Sequence, residues 1–483
     1  MRSGRLAGAA ACSLVLGCAL APTATGQSYE AGCVGASLGE VPQLSGPPLR
    51  FGITPSGAAG QIGSTSSEFA PDRLPDILAA MRRLRSPGRP FVAHIYSSWS
   101  AAGPGEDRRL RELVETYTAD GFLAELVLRY KPAPERDGDV SGFVDWVRHM
   151  VRLFGPNPRV LGFQVTNEVN ITFSGDSSDG AFKDAREALI EGIVAGDDEA
   201  RKRGHGHVEV GFNWFYRTDP GNERSFWEHL RDRGGPRFLS ALDWVGVDVY
   251  PGTYFPPETS PGQERNVIVD ALTLARNCYM PVAGIPARVP IHIQENGYPT
   301  GPGRSEERQL QMLESMVRTF HDFRGTFNVT DYRWFNMRDA DTASPNFQQH
   351  FGMMESDYRP KPAFPRYGEL VAELAGPVLP VRGARLRVGY ARGRTPGGAR
   401  CARRRVRAEL TADDPAARIE SVEFRRGGRR AARDVRPPFA KNVLLRRSPR
   451  SRSERIAAVA RLRGGETVAV PARRVRACPA SAG

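Results

Sequence analysis

Residues 289–299 read VPIHIQENGYP. Apolar side chains alternate with small or polar ones as in a strand, and then Gln294 and Glu295 arrive just before the turn pair Asn296-Gly297. A carboxylate at such a strand end either caps a hairpin or faces a pocket, and the rest of the chain separates the two. Seven further runs share the pattern: LRFGIT (49–54), PFVAHIYSSW (90–99), GFLAELVLRY (121–130), VLGFQVTNEVN (160–170), VEVGFNWFY (208–216), LDWVGVDVYP (242–251) and VTDYRWFNMRD (329–339). Amphipathic stretches at 72–84, 106–121, 141–155, 181–204, 305–323 and 364–375 lie between and after them, several opening on Ser or Asp as helix caps do. Strands interleaved with helices predict a parallel sheet, and eight strands predict a closed (β/α)8 TIM barrel. The competing doubly wound sheet usually opens with a glycine-rich phosphate loop, and FGITPSGAAG (51–60) has no G-x-G-x-x-G.

At 483 residues the chain exceeds one ordinary core, so the barrel leaves room for an appendage. Hydrophobic residues at 40% and charged residues at 25% fit a soluble globular protein rather than a disordered or membrane-spanning one. The first residues read as a secretory leader: a basic MRSGR, an apolar run too short to span a membrane, and small residues before an expected cleavage near Gly26. The alternative is a lipoprotein anchored through Cys18, against which Leu16 stands as a poor residue before the glycine. Loss of residues 1–26 leaves Cys33, Cys278, Cys401 and Cys478. An even number in an exported chain favours disulfides, with Cys401–Cys478 suggested by sequence separation and Cys33–Cys278 by elimination.

The net charge of +13 is unevenly spread: residues 376–483 hold 28 Arg and Lys against 8 Asp and Glu, a net +20, which leaves −7 for residues 1–375. A Gly/Pro-rich junction near Gly376 divides a barrel domain, 27–375, from a basic region, 376–483. Short alternating strands with Gly-Gly and Pro-Pro turns predict that the basic region is a small immunoglobulin-like β-sandwich.

In a TIM barrel the chemistry sits at the C-terminal ends of the strands. The fourth run ends at Asn167 and Glu168, the seventh at Glu295, and the eighth carries Trp334. Two carboxylates facing one pocket suit glycosidic bond cleavage, in which one protonates the leaving oxygen while the other attacks or stabilises the anomeric carbon. Their mutual repulsion holds a proton on one while the other stays ionised. TNE, ENG, the tryptophan of the eighth run and the closing FGMMESDYRPKPAFPRYGEL (351–370) resemble the clan A glycoside hydrolases, barrel enzymes that hydrolyse β-linked sugars with retention. The resemblance implies Glu168 as acid/base, Glu295 as nucleophile, Asn167 as partner of the 2-hydroxyl, Tyr250 as a hydrogen-bond donor to the nucleophile and Trp334 as the sugar platform. One position departs: several families of the clan place a histidine two before that tyrosine, where GVDVYPG (246–252) has Asp248. His94 and Trp214, at or near strand ends, are further candidate sugar contacts.

The expected substrate is therefore a β-linked oligo- or polysaccharide, with no cofactor and no metal; His205 and His207 sit in a Gly-rich loop without carboxylate or thiolate neighbours. The arginine-rich tail either decorates the solvent faces of its sandwich or holds an anionic cell-wall polymer, and the lack of an aromatic ladder argues against nucleic acid. The mature chain is expected to be secreted and to lack a transmembrane helix. The rival function is a non-catalytic carbohydrate-binding protein on the same barrel, which fold alone does not separate from an enzyme.

Overall fold

The computed structural model describes residues 46, 48–57, 70–86, 89–217, 220–375, 385–394, 400–411, 419–446, 452–462 and 467–479; the expected leader, Cys33 and the junction at 376–384 lie outside them. Eight strands form a closed parallel barrel: β1 Arg50–Ile53, β2 Phe91–Ser98, β3 Leu123–Arg129, β4 Val160–Val165, β5 Glu209–Phe215, β6 Trp244–Val249, β7 Ile291–Asn296 and β8 Val329–Trp334. Each pairs with the next, and β8 pairs with β1. This is the TIM barrel that the alternation of strands and helices predicts.

Successive side chains on a strand face opposite sides. The outward set is apolar and packs beneath the helices. Tyr332 and Trp334 of β8 join a core with Phe320 and Tyr367, and Phe212 and Trp214 of β5 join Phe226 and Trp227. The helix Val140–Phe154 supplies one such face: Asp139 accepts from the Gly142 amide at its start, and Phe143, Val147, Met150 and Val151 are buried at helical spacing.

The inward set is unusually polar, where such barrels more often stack branched aliphatics. Arg333 donates to Glu125 at 3.2 Å and to Asp331 at 2.8 Å, and Arg50 donates to Asp331 at 2.6 Å. His94 Nδ1 lies 3.0 Å from Glu125, and His292 Nε2 lies 3.2 Å from Asp331. Burial alone pushes both carboxyls up, but Arg333, His94 and His292 outweigh it and hold Glu125 down at about 2, while Arg50, His292 and Arg333 hold Asp331 below the carboxylate range. Two guanidinium groups thus balance two carboxylates inside the barrel.

The region after the barrel is rich in β-sheet: β9 Arg385–Arg394, β10 Arg400–Thr411, β11 Ile419–Arg426, β12 Arg429–Asp434, β13 Ala440–Leu444, β14 Arg452–Leu462 and β15 Thr467–Ala477. They hydrogen-bond in the order β12-β11-β14-β15-β10-β13, with β9 on β10. Val406, Val422, Phe424 and Ile456 centre a core distinct from that of the barrel. Cys401 and Cys478 form the expected disulfide. Cys278 is also disulfide-bonded. Among the described residues no helix is long and apolar enough to cross a membrane.

Helices Pro220–His229, Gly235–Ala241 and Gln263–Thr273, between β5 and β7, escape the periodicity reading. Each neighbours a π-helical segment, Leu230–Gly234 or Leu274–Tyr279, whose wider turns shift apolar residues off the 3.6-residue spacing.

Candidate active site

Glu168 and Glu295 reach the barrel mouth by different backbone devices. Beyond β4 the chain turns through two left-handed residues, Thr166 at φ 66° and Glu168 at φ 50°. Such a conformation costs a non-glycine residue about 1–3 kcal/mol, so its surroundings must hold it. Asn167 N–H donates to Asp179 at 2.8 Å, Glu168 N–H donates to Asn213 Oδ1 at 2.8 Å, and Ile171 N–H donates to the Glu168 carbonyl at 2.9 Å. Asp179 is itself fixed at the end of β3 by the Arg129 guanidinium and, at 2.6 Å, by the Tyr130 amide. The turn delivers the Glu168 side chain to Ser178, whose hydroxyl donates to Oε2 at 2.6 Å.

On β7 the device is a bulge. Val247 and Asp248 of β6 face Ile293 and Glu295, so Gln294 is an extra residue. The bulge turns the Gln294 and Glu295 side chains inward in succession. Gly246 makes the space: a Cβ there would lie 2.8 Å from the Asn213 side chain and 2.9 Å from that of Gln294. Glu295 then accepts from the Tyr96 hydroxyl on Oε1 and from the Tyr250 hydroxyl on Oε2 at 2.6 Å.

One oxygen each of Glu168, Asp248 and Glu295 lie within 4.8 Å of one another. The two glutamates line a cavity of about 470 Å³ together with Tyr96, Asn167, Tyr250 and the aromatic walls Phe215, Phe335 and Phe351. Burial first, and then the Glu295 charge, holds the Glu168 carboxyl well above the usual range. The same two causes, with Glu168 added, raise Asp248. Burial and Glu295 also raise Tyr96 and Tyr250, which keeps both hydroxyls as proton donors. The site therefore sets a carboxylic acid that retains its proton beside a carboxyl group whose two oxygens both accept from hydroxyls. Three carboxyls this close could ligate a cation. Hydrogen bonds from Tyr96, Tyr250, Ser178 and Asn213 already occupy four of their oxygens, an arrangement suited to holding protons.

Asn167 and Tyr250 thus share the cavity with the glutamates, whereas His94, Trp214 and Trp334 do not line it. His94 lies deeper, with Nε2 3.2 Å from the Tyr96 hydroxyl. Trp214 faces the helices and packs against Trp227 and Tyr279. Trp334 has no exposed surface and lies in the helix-facing core, which corrects its reading as a sugar platform. The reason is strand parity: Arg333 takes the inward position of β8, so Trp334 must point outward, and Phe335 one residue later enters the cavity wall. Tyr96, Ser178, Asn213 and Phe335 were missed by sequence reasoning. Of these, Tyr96 was open to detection, because it shares a strand face with His94 two residues earlier.

No protein-family model matches the sequence, and no curated protein does. Solved structures match the fold. A GH5_18 variant from Streptomyces cattleya in complex with Manb1-4GlcNAc superposes with a TM-score of 0.50 at 16% identity, over 69% of this chain and 82% of that one. A GH5_18 from Bifidobacterium longum subsp. infantis gives 0.48 at 15% identity, over 68% and 79%. A calcium-binding mutant of Bacteroides uniformis beta-glucuronidase 2 gives 0.44 at 14% identity, over 90% of this chain and 46% of that one, so the chain spans less than half of that protein's length. At these identities the likeness is one of fold.

Proposed function

We propose that the protein is a retaining O-glycoside hydrolase of the clan A type, acting on a β-linked oligo- or polysaccharide. One observation carries this reading. Retaining enzymes hold their two carboxyls about 5–5.5 Å apart and inverting ones about 6.5–9.5 Å, and one oxygen of Glu168 lies within 4.8 Å of one oxygen of Glu295. That gap favours direct attack over a water placed between the groups.

In the first step Glu295 attacks the anomeric carbon while Glu168 gives its proton to the departing oxygen; the glycosidic C–O bond breaks and a glycosyl ester of Glu295 forms. In the second step Glu168, now a carboxylate, takes a proton from water, the water oxygen bonds to the anomeric carbon, and Glu295 leaves as a carboxylate. Tyr96 and Tyr250 hold the two oxygens of the nucleophile, Asn167 meets the 2-hydroxyl, and Phe335 takes the sugar-facing role first given to Trp334. Proton transfer and carboxylate attack supply the chemistry without a cofactor. In this reading residues 1–26 direct export, with lipidation at Cys18 the alternative. Residues 27–375 form the catalytic domain, and 376–483 form an immunoglobulin-like module whose basic surface is available to an anionic cell-wall polymer.

The test is turnover of activated aryl β-glycosides and of a panel of β-glucans, mannans, xylans and galactans by the wild type, Glu168→Gln and Glu295→Gln. Glu295→Gln is expected to abolish turnover. Glu168→Gln is expected to lose about 10²–10⁴-fold on substrates with poor leaving groups, and less where the leaving group needs no proton. Full activity in both variants rejects the assignment. Glycan binding by the wild type without aryl release would return the non-catalytic reading.

A further inference from the structure

Of the three clustered carboxyls, the double displacement leaves one without a part. Asp248 ends the inward face of β6 at the position where the sequence departs from the clan A pattern, and it has no exposed surface. Its Oδ2 accepts from Asn213 Nδ2, the Glu295 backbone N–H also bears on the carboxyl, and among the described residues its Oδ1 meets no hydrogen-bond partner.

Asn213 is the hub of this corner. Its Oδ1 accepts from the Glu168 amide at 2.8 Å, and its Nδ2 donates also to Asn167 Oδ1 at 2.9 Å. A side-chain amide has an oxygen end and a nitrogen end, and its neighbours decide which way round it sits. The Glu168 N–H can only donate and so requires the oxygen. On the other side Asp248 and Asn167 supply the acceptors that require the nitrogen, Asn167 Oδ1 being turned there by Gln164 Nε2 at 3.0 Å. Removing the acceptor at 248 removes one of the two constraints on the nitrogen end, and the strained Glu168 turn hangs from the oxygen end.

Resting on the double-displacement reading, we propose that Asp248 is a positioning residue that, as a neutral acid, fixes Asn213 and through it the turn presenting Glu168 and Asn167. Neutrality follows from the crowd around it. An ionised Asp248 within 4.8 Å of Glu295 would be opposed by burial first and then by Glu295, and these hold the Asp248 carboxyl well above its ordinary range.

The test compares kcat, KM and pH profiles of the wild type, Asp248→Ala and Asp248→Asn on a substrate the wild type turns over. The titratable groups that bear on Asp248 and Glu168 are each other, Glu295, Tyr96, Tyr250, Tyr254, Arg129 and Asp179, and apart from residue 248 none is altered. Asp248→Ala is expected to lower kcat about 100-fold, the cost of roughly 1 Å of misplacement, with KM little changed and the alkaline limb moved to lower pH as water reaches Glu168. Asp248→Asn, neutral and able to accept from Asn213, is expected to recover most of that loss and to keep the alkaline limb in place. The inference is overturned if Asp248→Ala keeps wild-type kcat and limb. It is also overturned if Asp248→Asn is as impaired as the alanine variant or shifts the limb, since the residue would then act as an anion. A wild type without turnover on any glycoside sinks the parent reading with it. Turnover lost in Glu295→Gln but untouched in Asp248→Ala sinks this inference alone.

Discussion

Glu168 and Glu295 are chemically identical residues made different by their surroundings. Glu168 has one hydroxyl donor and a raised proton affinity from burial and from Glu295; Glu295 has two hydroxyl donors. The alkaline loss of activity should therefore fall well above the ordinary glutamate value of about 4.3. Folding stability carries the same signature. The folded-state pKa of Glu168 lies above its unfolded value, so what it contributes is complete below about pH 4.3 and is lost as pH rises through the raised value. Glu168→Gln should thus raise the thermal midpoint at pH 7.5, and the gain should vanish near pH 4. A variant that melts below the wild type at pH 7.5 would contradict the raised proton affinity.

Elements explain which parts of this were legible in the sequence. The strands were, because LVL in β3 and the branched runs elsewhere are buried and leave little choice of periodicity. The faces of the strands at their ends were not. Alternation along Ile291, His292, Ile293, Gln294 and Glu295 places Glu295 outward with the isoleucines, and only the bulge at Gln294 brings it into the mouth. Trp334 went wrong through the same ambiguity, resolved by Arg333. That arginine also yields a prediction. Arg333→Met leaves Glu125 and Asp331 short of their partner inside the barrel, which should cost about 3–5 kcal/mol in denaturant unfolding. For Glu125 the sign is the reverse of that for Glu168. Its pKa is held at about 2, so its contribution is present above the unfolded value and fades as pH falls from about 4.3 toward 2. The wild type should therefore lose stability through that window, and Arg333→Met should lose less of it. An Arg333→Met protein as stable as the wild type would remove the network from the account.

At the scale of the whole molecule, the strong positive charge of the last part of the sequence marks a chemically distinct region, and the β-rich region after the barrel has a hydrophobic core of its own. Composition sufficed there because it averages over many residues, whereas the site depends on single positions. Two cores predict two unfolding transitions. The Cys401–Cys478 bond closes a separation of 77 residues, so replacing both cysteines by serine should lower the transition of the basic region by about 4 kcal/mol and leave the barrel transition in place. A single transition displaced as one would contradict independent cores.

The central claim is that Glu295 attacks the anomeric carbon directly from within 4.8 Å of Glu168. Proton NMR of the first-formed sugar, recorded before mutarotation, tests it most directly. A β-glycoside should release the β-anomer, the outcome of two successive inversions. Release of the α-anomer would mean a single displacement by water and would contradict the account.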